Sequence, residues 1–214
     1  MPYYHKLGKI PHKRHTQFRR DDGQLYTEEL FGTEGFSGNS SLLYHHHPPV
    51  RVINIEPCET EPIEQWQLPV QRHVHTRTKP AQPQGDPISG RRLLMYNSDC
   101  RMSITLPAEG MDYFYKNGQT DELYFIHEGT GRFETNFGVL AYRPGDYVFL
   151  PHGAIYRIVA DEDMPQRWLV VEGKNIQFPH RYRNGFGQLL EHSPFSERDL
   201  RVPEDLLTIT GEEA

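Results

Sequence analysis

Gly145-Asp146-Tyr147-Val148-Phe149-Leu150-Pro151-His152-Gly153-Ala154-Ile155-Tyr156 is the stretch on which the reading of this chain turns. Tyr147 to Leu150 alternates aromatic and aliphatic residues at a strand's period of two. Gly145 on one side, and Pro151 with Gly153 on the other, are turn residues, and Ile155 then reopens an apolar run. Strand, tight turn, strand is the local message, and it repeats in both directions. The flanking runs predicted as strands are Leu93 to Tyr96, Met102 to Leu106, Met111 to Tyr115, Leu123 to His127, Gly131 to Thr135, Tyr147 to Leu150, Ile155 to Val159 and Arg167 to Val171. Eight short strands between Arg92 and Glu172 predict an antiparallel sandwich or barrel. Glu128-Gly129-Thr130-Gly131, Asn136-Phe137-Gly138 and Arg143-Pro144-Gly145-Asp146 supply the hairpin turns.

Outside this core the signals thin. Lys79 to Pro87 carries three prolines and reads as a connector, because proline cannot continue a central strand. Val50-Arg51-Val52-Ile53-Asn54-Ile55 alternates and is predicted as an extra strand. The one short helix candidate is Pro203 to Leu207, with proline in the first turn ahead of Glu204 and Asp205. The expected organisation is an arm and connector over 1–90, a barrel over 91–180 and a C-terminal linker over 181–214. With 18 Gly and 17 Pro in 214 residues, little helix is expected.

Composition removes several functions. No apolar run approaches the roughly 18 residues of a spanning helix, so no membrane role is expected. Against 23 Lys+Arg stand 29 Asp+Glu, a net charge of -6, which gives no basic field for nucleic acid. Cys58 and Cys100 lie far apart without zinc-finger spacing, and Met1 to Gly8 lacks an apolar signal core, so a reducing cytoplasm is expected. No Gly-x-Ser-x-Gly elbow, phosphate-cradling loop or Cys-His pair supports nucleophilic catalysis.

The 12 histidines invite a search for metal. His73-Val74-His75 would put two imidazoles on one face of a strand, but it lacks a carboxylate partner at a useful offset, and a surface role is preferred. His45-His46-His47 before Pro48-Pro49 reads as a polar loop, and His152 as a rim hydrogen-bonding residue. The basic run His12-Lys13-Arg14-His15 with Arg19 and Arg20 is expected to be solvated or to meet acidic surface of an oligomer partner.

Gly145-x5-Pro151-x-Gly153-x2-Tyr156, with Glu122 upstream, resembles the paired motifs of the cupin superfamily, an antiparallel jelly roll. That family's first motif carries His-x-His followed by Glu, and its second ends in His. Here the His-x-His positions fall on Tyr115 and Asn117, and Tyr156 replaces the second-motif His. Phenol and amide are poor partners for a divalent iron or zinc, so a degenerate, metal-free pocket of Tyr115, Lys116, Asn117, Glu122 and Tyr156 is expected, with Lys116 able to pair with Glu122.

Longer strings extend the resemblance. Tyr4 to Phe18, Glu28 to Gly38, Ser41 to Pro49, Met111 to Asn117, Arg181 to Asn184 and Gly187 to His192 are similar to the N-terminal half of bacterial homogentisate 1,2-dioxygenase-like proteins. The resemblance implies a bicupin whose non-haem Fe(II) opens homogentisate with O2 in tyrosine and phenylalanine breakdown. Its two His and one Glu ligands lie in a second cupin beyond this chain, so no catalytic or metal residue carries over. It further implies a small aromatic substrate and a trimer-based homo-oligomer for the full-length protein, and no metal bound to this chain alone. The alternatives are a stand-alone metal-free cupin that binds a small ligand or protein partner, and a metal-dependent cupin using His73 and His75. The ending at Thr210 to Ala214, without a closing strand, reads as that of a fragment or one part of a split protein.

Overall fold

A computed structural model describes residues 12–13, 16–57, 63, 65, 67, 72–203 and 205–208. Two antiparallel sheets face one another. The first has the order β3 (Arg92–Tyr96), β4 (Cys100–Thr105), β11 (Arg167–Gly173), β6 (Asp121–Glu128), β9 (Tyr147–Leu150). The second has the order β5 (Tyr115–Lys116), β10 (Ile155–Ala160), β7 (Gly131–Thr135), β8 (Gly138–Tyr142). From β4 onward the chain crosses between the sheets at every step except the β7–β8 hairpin, and so winds as the cupin-type jelly roll that the motif resemblance implies. Among the described residues helix is limited to two 3-10 turns, His180–Tyr182 and Glu197–Asp199.

Alternation decides what fills the space between the sheets. In β6, Glu122, Tyr124 and Ile126 point inward, in β9 Val148 and Leu150, in β10 Tyr156 and Ile158, and in β11 Trp168 and Val170. Phe133 and Tyr142 join them, and the rings meet edge to face: Tyr124 with Phe133 at 5.2 Å between centroids, Tyr142 with Trp168 at 5.7 Å. Such pairs contribute roughly 0.5–1.5 kcal/mol beyond buried area. Gly129 makes the β6–β7 turn possible, with φ of 98° and no room for a Cβ beside the Gln166 amide.

Six of the eight predicted strands form with small boundary shifts, and a seventh, Met111 to Tyr115, shrinks to Tyr115–Lys116. Side chains anchor that segment instead: Met111 is buried, with its sulfur 3.5 Å from the Ile158 N–H, and Tyr113 donates to Asp86 at 3.0 Å. Leu93 to Tyr96, the remaining one, gains Arg92 as its first residue. Val50 to Ile55 is no strand; its residues are exposed and join no sheet among the described residues. The predicted helix at Pro203 to Leu207 is also absent from its described residues, because Asp205 bridges to the free edge of β8, where its carbonyl accepts from the Val139 N–H at 2.9 Å. Glu204 lies outside the described residues. Two strands not predicted, β1 (Thr27–Glu34) and β2 (Ser37–His45), form a separate hairpin. It leans on the barrel where the Phe31 ring meets Phe137 at 4.9 Å, edge on. None of the described helices is long and apolar enough to cross a membrane.

Candidate functional site

The barrel mouth is organised by one cation supplied by the chain. Arg91, just ahead of β3, sends its guanidinium between the sheets, and its side chain is 10% exposed. Nη1 stands 2.7 Å from Glu122 Oε1 and 3.5 Å from Glu172 Oε1. The Glu122 contact is ionic, at an angle outside hydrogen-bond geometry. Nη2 donates to the Tyr156 hydroxyl at 3.2 Å and also to the Tyr124 hydroxyl. The Tyr115 and Tyr124 rings flank the guanidinium at 5.8 and 5.5 Å.

Around that cation the phenols and the carboxylate form a closed circuit. Tyr156 donates to Glu122 Oε2 at 2.7 Å, and the Tyr124 and Tyr156 hydroxyls lie 2.8 Å apart. Tyr115 stacks edge-on against Tyr156 at 5.5 Å. Asn117 Nδ2 donates to Thr120 Oγ1 at 2.9 Å and to Glu172 Oε1 at 3.3 Å, so it shapes the turn into β6 and ties it to β11. Burial raises the Tyr156 phenol pKa well above its usual value, and the neighbouring Tyr124 adds to the rise against the opposing pull of Arg91. Burial does the same to Tyr124, and to Tyr115 by a smaller margin. For Arg91, burial works against the charge, yet the electrostatics of Tyr124, Tyr156, Glu122 and Glu172 outweigh it and raise its pKa. Protonated phenols and a permanent guanidinium are therefore the species present at neutral pH.

The expected pocket is thus partly assembled. Tyr115, Asn117, Glu122 and Tyr156 converge, but Lys116 does not: it is exposed, and Arg91 is the partner of Glu122. The reason lies in strand alternation, since Tyr115 points in and its neighbour must point out. Arg91, Tyr124 and Glu172 complete the site and went unread in the sequence. Tyr124 had a readable signal, two residues after the inward Glu122 on one strand; Arg91, from a loop, had none.

These residues do not fit a divalent iron. Both Glu122 oxygens are engaged, the phenols are protonated, no imidazole enters the cluster, and a guanidinium holds the centre. Among the described residues, no three His, Cys, Asp or Glu side chains are grouped to hold a metal ion. His73 and His75 are exposed and outside any strand, so the one-face geometry expected of them is not formed. His45 bonds Glu29 at 2.8 Å, and His46 packs edge-on against Tyr26 at 5.3 Å. His152 takes the rim role: its Nδ1 and its backbone N–H both reach Asp121 Oδ1, at 3.0 and 2.9 Å. Within the basic run, Arg19 donates to the Gly23 carbonyl at 2.9 Å and Arg20 to the His46 carbonyl. Arg14, His15 and Cys58 lie outside the described residues, and Cys100 is a free thiol.

Comparison with known proteins adds three findings. The family model of the AraC-like ligand binding domain matches residues 106–199. A curated relative, "Putative dioxygenase SSO1533" of Saccharolobus solfataricus, is 36% identical over 204 residues, covering 95% of this chain and 52% of that protein. This chain therefore spans about half the length of that relative. Among solved structures, a double-stranded beta-helix domain protein of Klebsiella pneumoniae is 14% identical over 49% of this chain and 91% of its own, with a TM-score of 0.41. A cupin protein of Bacteroides fragilis is 22% identical over 46% of this chain and 83% of its own, with a TM-score of 0.38.

Proposed function

We propose that this chain, whose two antiparallel sheets wind as a cupin-type jelly roll, is the structural, non-metal half of a ring-cleaving dioxygenase acting on homogentisate or a close analogue. The observation that carries the reading is the filled mouth: Arg91, Glu122, Tyr124 and Tyr156 occupy the place where a cupin enzyme needs open coordination positions. The dioxygenase assignment draws support from the relative twice as long as this chain. The substrate draws support from the sequence strings at Tyr4 to Phe18 and Ser41 to Pro49.

In the complete protein a second cupin would hold Fe(II), which supplies O2 activation. The overall change inserts both oxygen atoms of O2 into the opened ring, giving maleylacetoacetate without an external reductant. The part played by this chain is mechanical. Its barrel supplies a rigid wall, and Arg91 neutralises Glu122 so that a carboxylate can stay buried without a metal.

Metal analysis and oxygen uptake with homogentisate test the reading. The 214-residue chain alone is expected to carry no stoichiometric iron and consume no O2, whereas a chain extended by its second half gains both. Stoichiometric iron and turnover in the short chain would sink it. A second reading, a metal-free module that binds a small ligand, is favoured by the match to the AraC-like ligand binding domain over 106–199. It predicts saturable ligand binding by the short chain with no change when the second half is added.

A further inference from the structure

Two edges of the jelly roll are blunted by their own sequence. β5 is two residues long and carries Lys116, and β3 begins with Arg92 and breaks register between Leu93 and Met95. Shortness, charge and bulges of this kind stop an edge from pairing with another chain. β8, Gly138-Val139-Leu140-Ala141-Tyr142, has none of these devices. It is five residues long, uncharged and free of proline, and it pairs in unbroken register with β7, its strand neighbour on one side.

A different device covers that edge. The Val139 N–H donates to the Asp205 carbonyl at 2.9 Å, so Val139 turns its main-chain groups away from β7, and by the two-residue repeat so does Ala141. Arg201 reaches the Ala141 carbonyl with Nη1 at 3.5 Å and pairs with Asp146 through Nη2. Pro203 sits where Gly138 lacks a side chain: a Cβ there would stand 2.7 Å from the Pro203 Cβ and 2.5 Å from the Asp205 carbonyl oxygen. The C-terminal segment is thus seated on β8 by main chain, by charge and by shape. Its hold is light, because the Arg201 side chain is 53% exposed and an ion pair that open to water contributes little.

We propose that the segment carrying Arg201, Pro203 and Asp205 is a displaceable strap, and that the edge beneath it pairs with the β8 edge of a second copy once the strap lifts. The edge is self-complementary. Turned antiparallel about Leu140, two β8 strands set Val139 of each against Ala141 of the other, the residues whose groups face outward, and form about four main-chain hydrogen bonds. The two four-stranded sheets then become one sheet across a two-fold axis. Strap and second copy compete for the same Val139 N–H, so only one of them is seated at a time. The inference stands apart from the dioxygenase reading, since it uses neither the mouth nor iron.

Strap release in the full chain tests it. Arg201→Glu with Pro203→Gly sets a second carboxylate beside Asp146 and empties the notch at Gly138. With circular dichroism unchanged, this variant is expected to form, as concentration rises, a species of twice the parent's mass in light scattering. Arg201→Ala should do so to a smaller degree, and Arg201→Lys, which keeps the ion pair, should behave as the parent. Disulfide formation locates the contact, with Cys58→Ser and Cys100→Ser in every chain. A mixture of Val139→Cys and Ala141→Cys chains should cross-link roughly tenfold more with the strap released than with the native strap, since facing Cα atoms stand about 5.5 Å apart. Either cysteine chain alone should stay unlinked, because its two copies are offset by two residues and stand roughly 8 Å apart. Equal cross-linking with the native strap in place would overturn the proposal. So would released variants that keep the parent's mass at every concentration, or that associate without this link.

Discussion

Arg91 sets the terms for every group in the mouth, and its removal gives the sharpest test of how the barrel is held. Arg91→Met leaves Glu122 buried without its cation, a loss expected at about 3–5 kcal/mol in urea unfolding. Adding Glu122→Leu removes the stranded carboxylate and should recover most of that loss, which a simple loss of packing would not. The phenols give an independent reading. Folding raises the pKa values of Tyr124 and Tyr156 above the usual 10.0, so their contribution is complete below about pH 10 and fades as pH climbs toward the folded values. Titration followed at 295 nm should therefore show these tyrosines ionising only as tertiary structure is lost. The site was half legible in the sequence: motif offsets reached Tyr115, Asn117, Glu122 and Tyr156, all on or beside strands whose alternation is regular. Arg91 was not, because a loop residue's direction is set by tertiary packing. Lys116 was misassigned through neglect of the alternation that had already turned Tyr115 inward.

At the level of strands, β7 and β10 are clasped by Glu134, which accepts from Arg132 Nε at 2.9 Å and from Arg157 Nε at 3.1 Å and Nη2 at 2.5 Å. Burial alone would raise the Glu134 pKa, but the two guanidinium partners hold it below the usual 4.5. A lowered folded pKa stabilises above the unfolded value and is lost as pH falls through the folded one. Glu134→Gln should thus lower Tm near neutral pH, with the gap to the parent closing below about pH 4; a gap that persists in acid would point to packing. Legibility at this scale followed the chemistry of alternation. Strands with one buried face, such as β6, β7, β9, β10 and β11, were visible. β1 and β2 were not, for Gly32, Gly35 and Gly38 with the serines interrupt the apolar alternation, and β8 was hidden within the turn signal that precedes it. Val50 to Ile55 carries the right pattern but joins no sheet among the described residues, so periodicity alone misled.

Across the whole molecule, the jelly roll and the β1–β2 hairpin are joined through few contacts, of which the Phe31 to Phe137 ring contact at 4.9 Å is the clearest, with Phe31 also 3.5 Å from the position of a Cβ on Gly153. Phe31→Ala should raise amide exchange in 27–45 by tenfold or more while leaving the exchange of β6 and β11 unchanged, the outcome expected of a two-stranded sheet that opens on its own. Equal acceleration everywhere would mean that hairpin and barrel unfold together. The guanidinium in the mouth has a further consequence. A barrel whose central positive charge is covalently its own needs no loading step after synthesis. Its melting temperature should be the same after dialysis against EDTA as before, and the same from iron-starved as from iron-replete cells. A chelator-sensitive Tm would mean that something other than Arg91 neutralises Glu122.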